Sequence, residues 1–119
     1  MIIGLPVNAN NLEEGISASY GRAPFYYIYD SQTKEGHFVD NKAAGDVGGV
    51  GVKSAQLIID QKVEALITPR LGDQAAQVLE GAEIGLYKSQ GTDIMENIEA
   101  VLASELEKLT EIHPGHHGN

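Results

Sequence analysis

Residues 2–7 form an uninterrupted apolar run closed by a polar stretch at 8–15, the pattern of a short buried strand followed by a loop. A second strand is predicted at 25–29, where Phe25, Tyr26, Tyr27, Ile28 and Tyr29 suit a pleated surface. Residues 30–36 read as a turn, and His37, Phe38 and Val39 extend a third strand, so these two make a hairpin beside the first. The amino-terminal half is β-rich.

From Gly51 onward the period changes. Val52, Ala55 and Ile59 recur at helical spacing, Leu57 and Ile58 widen the apolar face, and the helix they predict ends near Gln61. Residues 63–67 read as a buried strand ended by Pro69, residues 73–80 as a short helix broken by Gly81, and residues 83–87 as another strand. A last helix begins near Thr92 or Asp93, either of which can cap it, and carries the stripe Ile94, Ile98, Val101, Leu102 and Leu109. Glu96 sits where the helix dipole favours a negative charge. Helices alternating with strands imply parallel crossovers, and the hairpin supplies an antiparallel pair, so the prediction is a mixed sheet with helices on its faces.

A chain of 119 residues with 42% hydrophobic content can bury one continuous core. The absence of cysteine excludes a disulfide framework, a thiolate-held iron–sulfur cluster and a cysteine nucleophile. The formal charge of −9 disfavours nucleic acid, whose phosphates need clustered Lys and Arg. No apolar run is long enough to span a bilayer and the first residues lack the pattern of a signal peptide, so the expectation is a cytoplasmic protein without a membrane partner.

The richest chemistry lies at residues 45–51, where Gly45, Gly48, Gly49 and Gly51 fall just ahead of the first helix. Without Cβ atoms, backbone N–H groups can approach a ligand closely, and the helix amino end adds partial positive charge, so the segment can cradle an anion. The Walker pattern is absent because no Lys-Ser/Thr pair follows the last glycine, and the dinucleotide fingerprint would have to follow a strand directly. A surface loop without a ligand satisfies the same composition equally well.

Five segments taken together carry a resemblance: Ile3 to Val7; Ser17 to Phe25 around Tyr20-Gly21-Arg22; Asn41 with the glycine segment; Ile67 to Ala75 around Pro69-Arg70-Leu71-Gly72; and Gly91-Thr92. In this order they resemble the nitrogenase iron–molybdenum cofactor biosynthesis family, the NifX-like group that includes the carboxy-terminal domain of NifB and the stand-alone orange protein. The resemblance implies a three-layer α/β/α, ribonuclease H-like fold with a five-stranded mixed sheet. It also implies a non-enzymatic role: binding, carrying or storing a molybdenum-containing metal–sulfur cluster, with iron or copper as second metal. Two positions depart from the family pattern, since Ser19 and Val47 stand where members commonly carry histidines. Imidazole ligation at those positions is excluded, which leaves backbone donors and cations to hold a polyanionic cluster.

The candidate cluster-binding residues are Ser19, Arg22, Gly45, Gly48, Gly49, Gly51, Lys53, Arg70 and Gly72. Arg22 can present a fork of donors to an anion or pair with one of seventeen carboxylates. Arg70 follows a predicted parallel strand, where open α/β sheets bind ligands. Lys53 falls in the first helical turn, where a cation opposes the dipole. Most carboxylates are expected to lie away from this surface, because they would repel the cluster. His113, His116 and His117 form a histidine-rich tail beyond a domain at 1–112 and are weak candidates for copper, nickel or zinc. No Ser-His-Asp order or carboxylate pair marks an enzyme. The expected partners are the cluster and its delivery or acceptor proteins, with the chain a monomer or weak homodimer. The alternative is a protein-interaction or regulatory module of the same fold without bound cluster.

Overall fold

The first strand, β1 (Ile2–Val7), lies at the centre of a five-stranded sheet of order β3-β2-β1-β4-β6 in the computed structural model, which describes residues 1–46, 48–110 and 112–113. It runs antiparallel to β2 (Phe25–Asp30), which pairs antiparallel with β3 (Glu35–Asp40). On its other side it is parallel to β4 (Ala65–Thr68), itself parallel to β6 (Gly85–Lys88). The sheet is therefore mixed, as the two halves of the sequence imply. Two further pairs of residues, β5 (Leu71–Gly72) and β7 (Ile112–His113), make a small parallel sheet that the hydrophobic pattern does not announce.

Both faces of the sheet are covered. Tyr26, Ile28, Leu66 and Leu86 point to one face and pack with α1 (Val50–Asp60) and α2 (Asp73–Gly81) through Ala55, Ile58, Ala75, Ala76 and Leu79. Ile3, Leu5, Val7, Tyr27, Tyr29 and Ile67 point to the other and meet Ile94, Ile98 and Val101 of α3 (Ile94–Leu102). Alternation along each strand thus feeds two apolar layers, giving three layers α/β/α. Gly4 on β1 faces the first layer, where a Cβ would stand 3.2 Å from Val63 and 3.6 Å from Ile58, so glycine lets the α1 end settle onto the sheet.

Several boundaries differ from the sequence pattern for local reasons. The turn between β2 and β3 spans only 31–34, because Asp30 accepts from Gln32 N–H and Lys34 takes a left-handed φ of 62°, bringing Glu35 directly opposite Asp30. Gly81 does not break α2 but is its last residue, and Glu83 carries the left-handed conformation. Helix α3 stops at Leu102, which is exposed. Leu109 belongs instead to a segment running along the outer edge of β6, where its N–H donates to Leu86 O and Lys88 N–H donates to Glu107 O. That segment shields one sheet edge from further pairing.

Asn97 closes the loop between β6 and α3. It is 1% exposed, and its amide accepts from Gln90 N–H at 2.8 Å while donating to Gln90 O and Asp93 O, each at 2.8 Å. Truncation leaves the Gln90 N–H and carbonyl short of this partner in a part-buried setting and takes from Asp93 O one of its two donors. Asn97→Ala is expected to cost about 2–3 kcal/mol, read as a lowered urea midpoint with an unchanged slope.

Candidate functional site

Strands β1, β4 and β6 run in one direction, so the segments leaving their carboxyl ends gather along one edge of the sheet. Val7 at the end of β1 pairs with Phe25 at the start of β2, and Phe25 pairs with Asp40 at the end of β3. The 17–24 segment, the 41–49 segment, the amino ends of α1, α2 and α3, and the loop containing Arg70 are therefore all placed at this edge. Arg22 precedes β2 and Arg70 follows β4, with β1 between. The strands they flank are two spacings apart, roughly 10 Å.

Within this edge Arg22 joins two of the predicted segments. Its Nη1 donates to Ala44 O at 3.0 Å and to Asp46 O at 3.5 Å, while its own N–H donates to the Oγ of exposed Ser19 at 3.3 Å. Lys53 reaches back from α1 to Asp46, Nζ to Oδ2 2.9 Å. Asp46 therefore stands inside the candidate surface, an exception to the expectation that most carboxylates keep clear of it.

The glycines divide by role. Gly45 and Gly48 have open space where a Cβ would be, so backbone there is open to a ligand. Gly49 caps α1 in the left-handed conformation, φ 68°, with no side-chain cap on the helix and no acidic residue in its first turn. Gly51 faces a neighbouring helix, its would-be Cβ 3.6 Å from Ala75 Cβ, so its small size serves the packing of α1 on α2. Gly72 caps α2 from an extended conformation and pairs with the backbone of His113. Arg70 is exposed, and its carbonyl accepts from Thr68 Oγ1 at 3.0 Å. Val47, His116 and His117 lie outside the described residues. Among the described residues no three His, Cys, Asp or Glu side chains gather as metal ligands, and no helix is long and apolar enough to cross a membrane.

Asn41 holds this edge together, a role its place in a motif did not specify. It is 4% exposed, and its Nδ2 donates to Gly21 O at 2.9 Å and Ala23 O at 2.8 Å, while its Oδ1 accepts from Ala43 N–H at 3.2 Å. Ser54 on α1 donates to Gly21 O and lies 3.4 Å from Asn41 Oδ1, and the Tyr26 hydroxyl donates to Tyr20 O. The carbonyls of Tyr20, Gly21 and Ala23, on either side of Arg22, are thereby drawn into the protein, away from any anion outside. Asn41 stands between Asp40 and Lys42, so no apolar pattern around it points to this role in the sequence.

A sheet edge collecting the α1 amino end, a glycine segment and cations gives an α/β/α domain with donors for an anionic ligand, whereas the α2 and α3 amino ends carry Asp73, Asp93 and Glu96. The chain belongs to the dinitrogenase iron–molybdenum cofactor family, whose family model matches residues 1–104. It is 33% identical over 112 residues to an uncharacterized protein of Methanocaldococcus jannaschii, covering 92% of each chain. Among solved structures it resembles the apo form of the orange protein from Desulfovibrio gigas, with a TM-score of 0.85, 22% identity and 92% of each chain covered. A Thermotoga protein provisionally named NifB gives a TM-score of 0.80 at 29% identity, over 93% of this chain and 95% of that one. These neighbours share the three-layer fold with its mixed five-stranded sheet.

Two measurements test this geometry. Asn41→Ala removes the donor for two carbonyls and the acceptor for Ala43 N–H, so a loss of about 2–4 kcal/mol in chemical unfolding is expected, with broadened amide signals at residues 21–23 and 43–45. Burial also raises the pKa values of Tyr20 and Tyr26 above the ordinary 10.0. The folded state keeps both phenols neutral where the unfolded chain ionises, so their contribution is intact below pH 10 and declines as pH rises further. Alkaline titration followed at 295 nm should show these two ionising only as the protein unfolds.

Proposed function

We propose that this domain is a non-catalytic, cytoplasmic carrier or store for a molybdenum-containing metal–sulfur cluster, with iron or copper as second metal. The cluster is cargo, held at the carboxyl edge of the parallel strands without a covalent bond. The observation that carries the reading is the meeting of Arg22, Ser19, Lys53 and the glycine segment at one uncapped helix start, in a chain of this family. A sulfide-rich cluster is a polyanion, and guanidinium, ammonium and backbone N–H donors suit it. Arg70 supplies a further cation across β1, and Gly45 and Gly48 leave backbone room. Delivery and acceptor proteins would exchange the cluster at this edge, with the chain acting as a monomer or weak homodimer.

A second reading is favoured by the clamp that Arg22 forms on Ala44 and Asp46 carbonyls, which is what a structural arginine does. On that reading the edge docks a protein partner and holds no cluster. Titration with tetrathiomolybdate and copper, followed by charge-transfer absorption, separates the two. Cluster binding should weaken with salt and fall by at least about tenfold in the Arg22→Ala, Arg70→Ala double variant, equivalent to about 1.4 kcal/mol, while the melting curve stays cooperative. Truncation after His113 should matter less. Undiminished binding in the double variant together with loss on truncation would move the site to His116 and His117.

A further inference from the structure

Asp46 is out of place on a surface that receives an anion, and its contacts show how it is held. Its N–H donates to Ala43 O at 3.0 Å, its carbonyl accepts from Arg22 Nη1 at 3.5 Å, and its Oδ2 accepts from Lys53 Nζ at 2.9 Å. The carboxylate is thus brought to the first turn of α1, which has neither an acidic residue of its own nor a side-chain cap. Resting on the carrier reading given above, we infer that Asp46 is an internal competitor for the cargo, occupying Lys53 until a stronger anion displaces it.

The exposures fit a displaceable pair. The side chains of Lys53 and Asp46 are 56% and 40% exposed, so water screens the contact and either partner can exchange without leaving a buried charge. A multiply charged cluster attracts the ammonium more strongly than one carboxylate does, and Asp46 repels that cluster until it swings away. Asp46 therefore sets affinity, keeping cargo releasable. It also favours cargo carrying more than one negative charge over a monoanion, because only the former outbids the internal carboxylate.

The test is a tetrathiomolybdate titration of the full chain, followed by charge-transfer absorption at low and high ionic strength, on wild type, Asp46→Asn, Lys53→Gln and the double variant. Thermal melts and Asp46→Ser as a second replacement confirm that folding is intact. Asp46→Asn and Asp46→Ser should bind about three- to tenfold more tightly at low ionic strength, with the gain shrinking as salt rises and largely absent when Lys53 is already glutamine. Wild-type binding with no gain on replacing Asp46, or with an equal gain in the Lys53→Gln background, overturns the competitor while leaving the carrier reading intact. Binding seen only after Asp46 is replaced supports it. Absence of binding in every variant overturns both.

Discussion

Everything in this domain is arranged around the burial of β1. A strand sealed on both faces can satisfy its backbone only through both edges, and β1 does so with an antiparallel partner on one side and a parallel one on the other. That single constraint joins the hairpin half to the helix–strand half. Ile3, Leu5 and Val7 supply one core layer, while Gly4 on the opposite face admits Val63 and Ile58 of the other. The parallel pairing also fixes where strand ends fall, and hence where loops with cations and glycines collect.

The candidate site is built from segments that do not stabilise themselves. The turn around Arg22 has its carbonyls gathered by Asn41, Ser54 and Tyr26, and the glycine segment is held by Arg22 and Lys53. Rigidity therefore comes from behind, through the buried hydrogen bonds of Asn41, Ser54 and Tyr26, with the Tyr20 hydroxyl beside them left without a partner among the described residues, while the outward side stays polar and accessible. The conformational freedom that four glycines bring is offset by contacts from neighbouring elements rather than by the segment's own side chains. A surface built this way can exchange anions without disturbing the core.

The same arrangement bears on how a cysteine-free member of this family could hold a cluster. Ser19 offers a hydroxyl and no imidazole, and that hydroxyl accepts from the Arg22 N–H. On the proposed carrier reading, attraction and hydrogen bonding are left as the means of retention, and these weaken with salt. Binding of that kind suits transfer between proteins better than permanent residence.

The sequence by itself determined the order and type of the main elements, because each carries a local signal: the short apolar run at 2–7 closed by a polar loop, the aromatic and β-branched run at 25–29, and the helical stripe Ile94, Ile98, Val101. It also placed Arg22, Lys53, Arg70 and the glycines as chemistry worth following. It placed the ends of α1 and α2 to within a residue but not that of α3, where Ser104 takes a left-handed conformation without glycine, nor the paths of Leu109 and Ile112, which are set by partners far along the chain. Tertiary structure alone decided that Gly51 serves helix packing while Gly45 and Gly48 stay open, that Asn41 is the hub, and that Asp46 faces Lys53. Periodicity is a local property written in consecutive residues, whereas a contact between residues 22 and 44 or between 41 and 21 exists only once the sheet has brought their segments to the same edge.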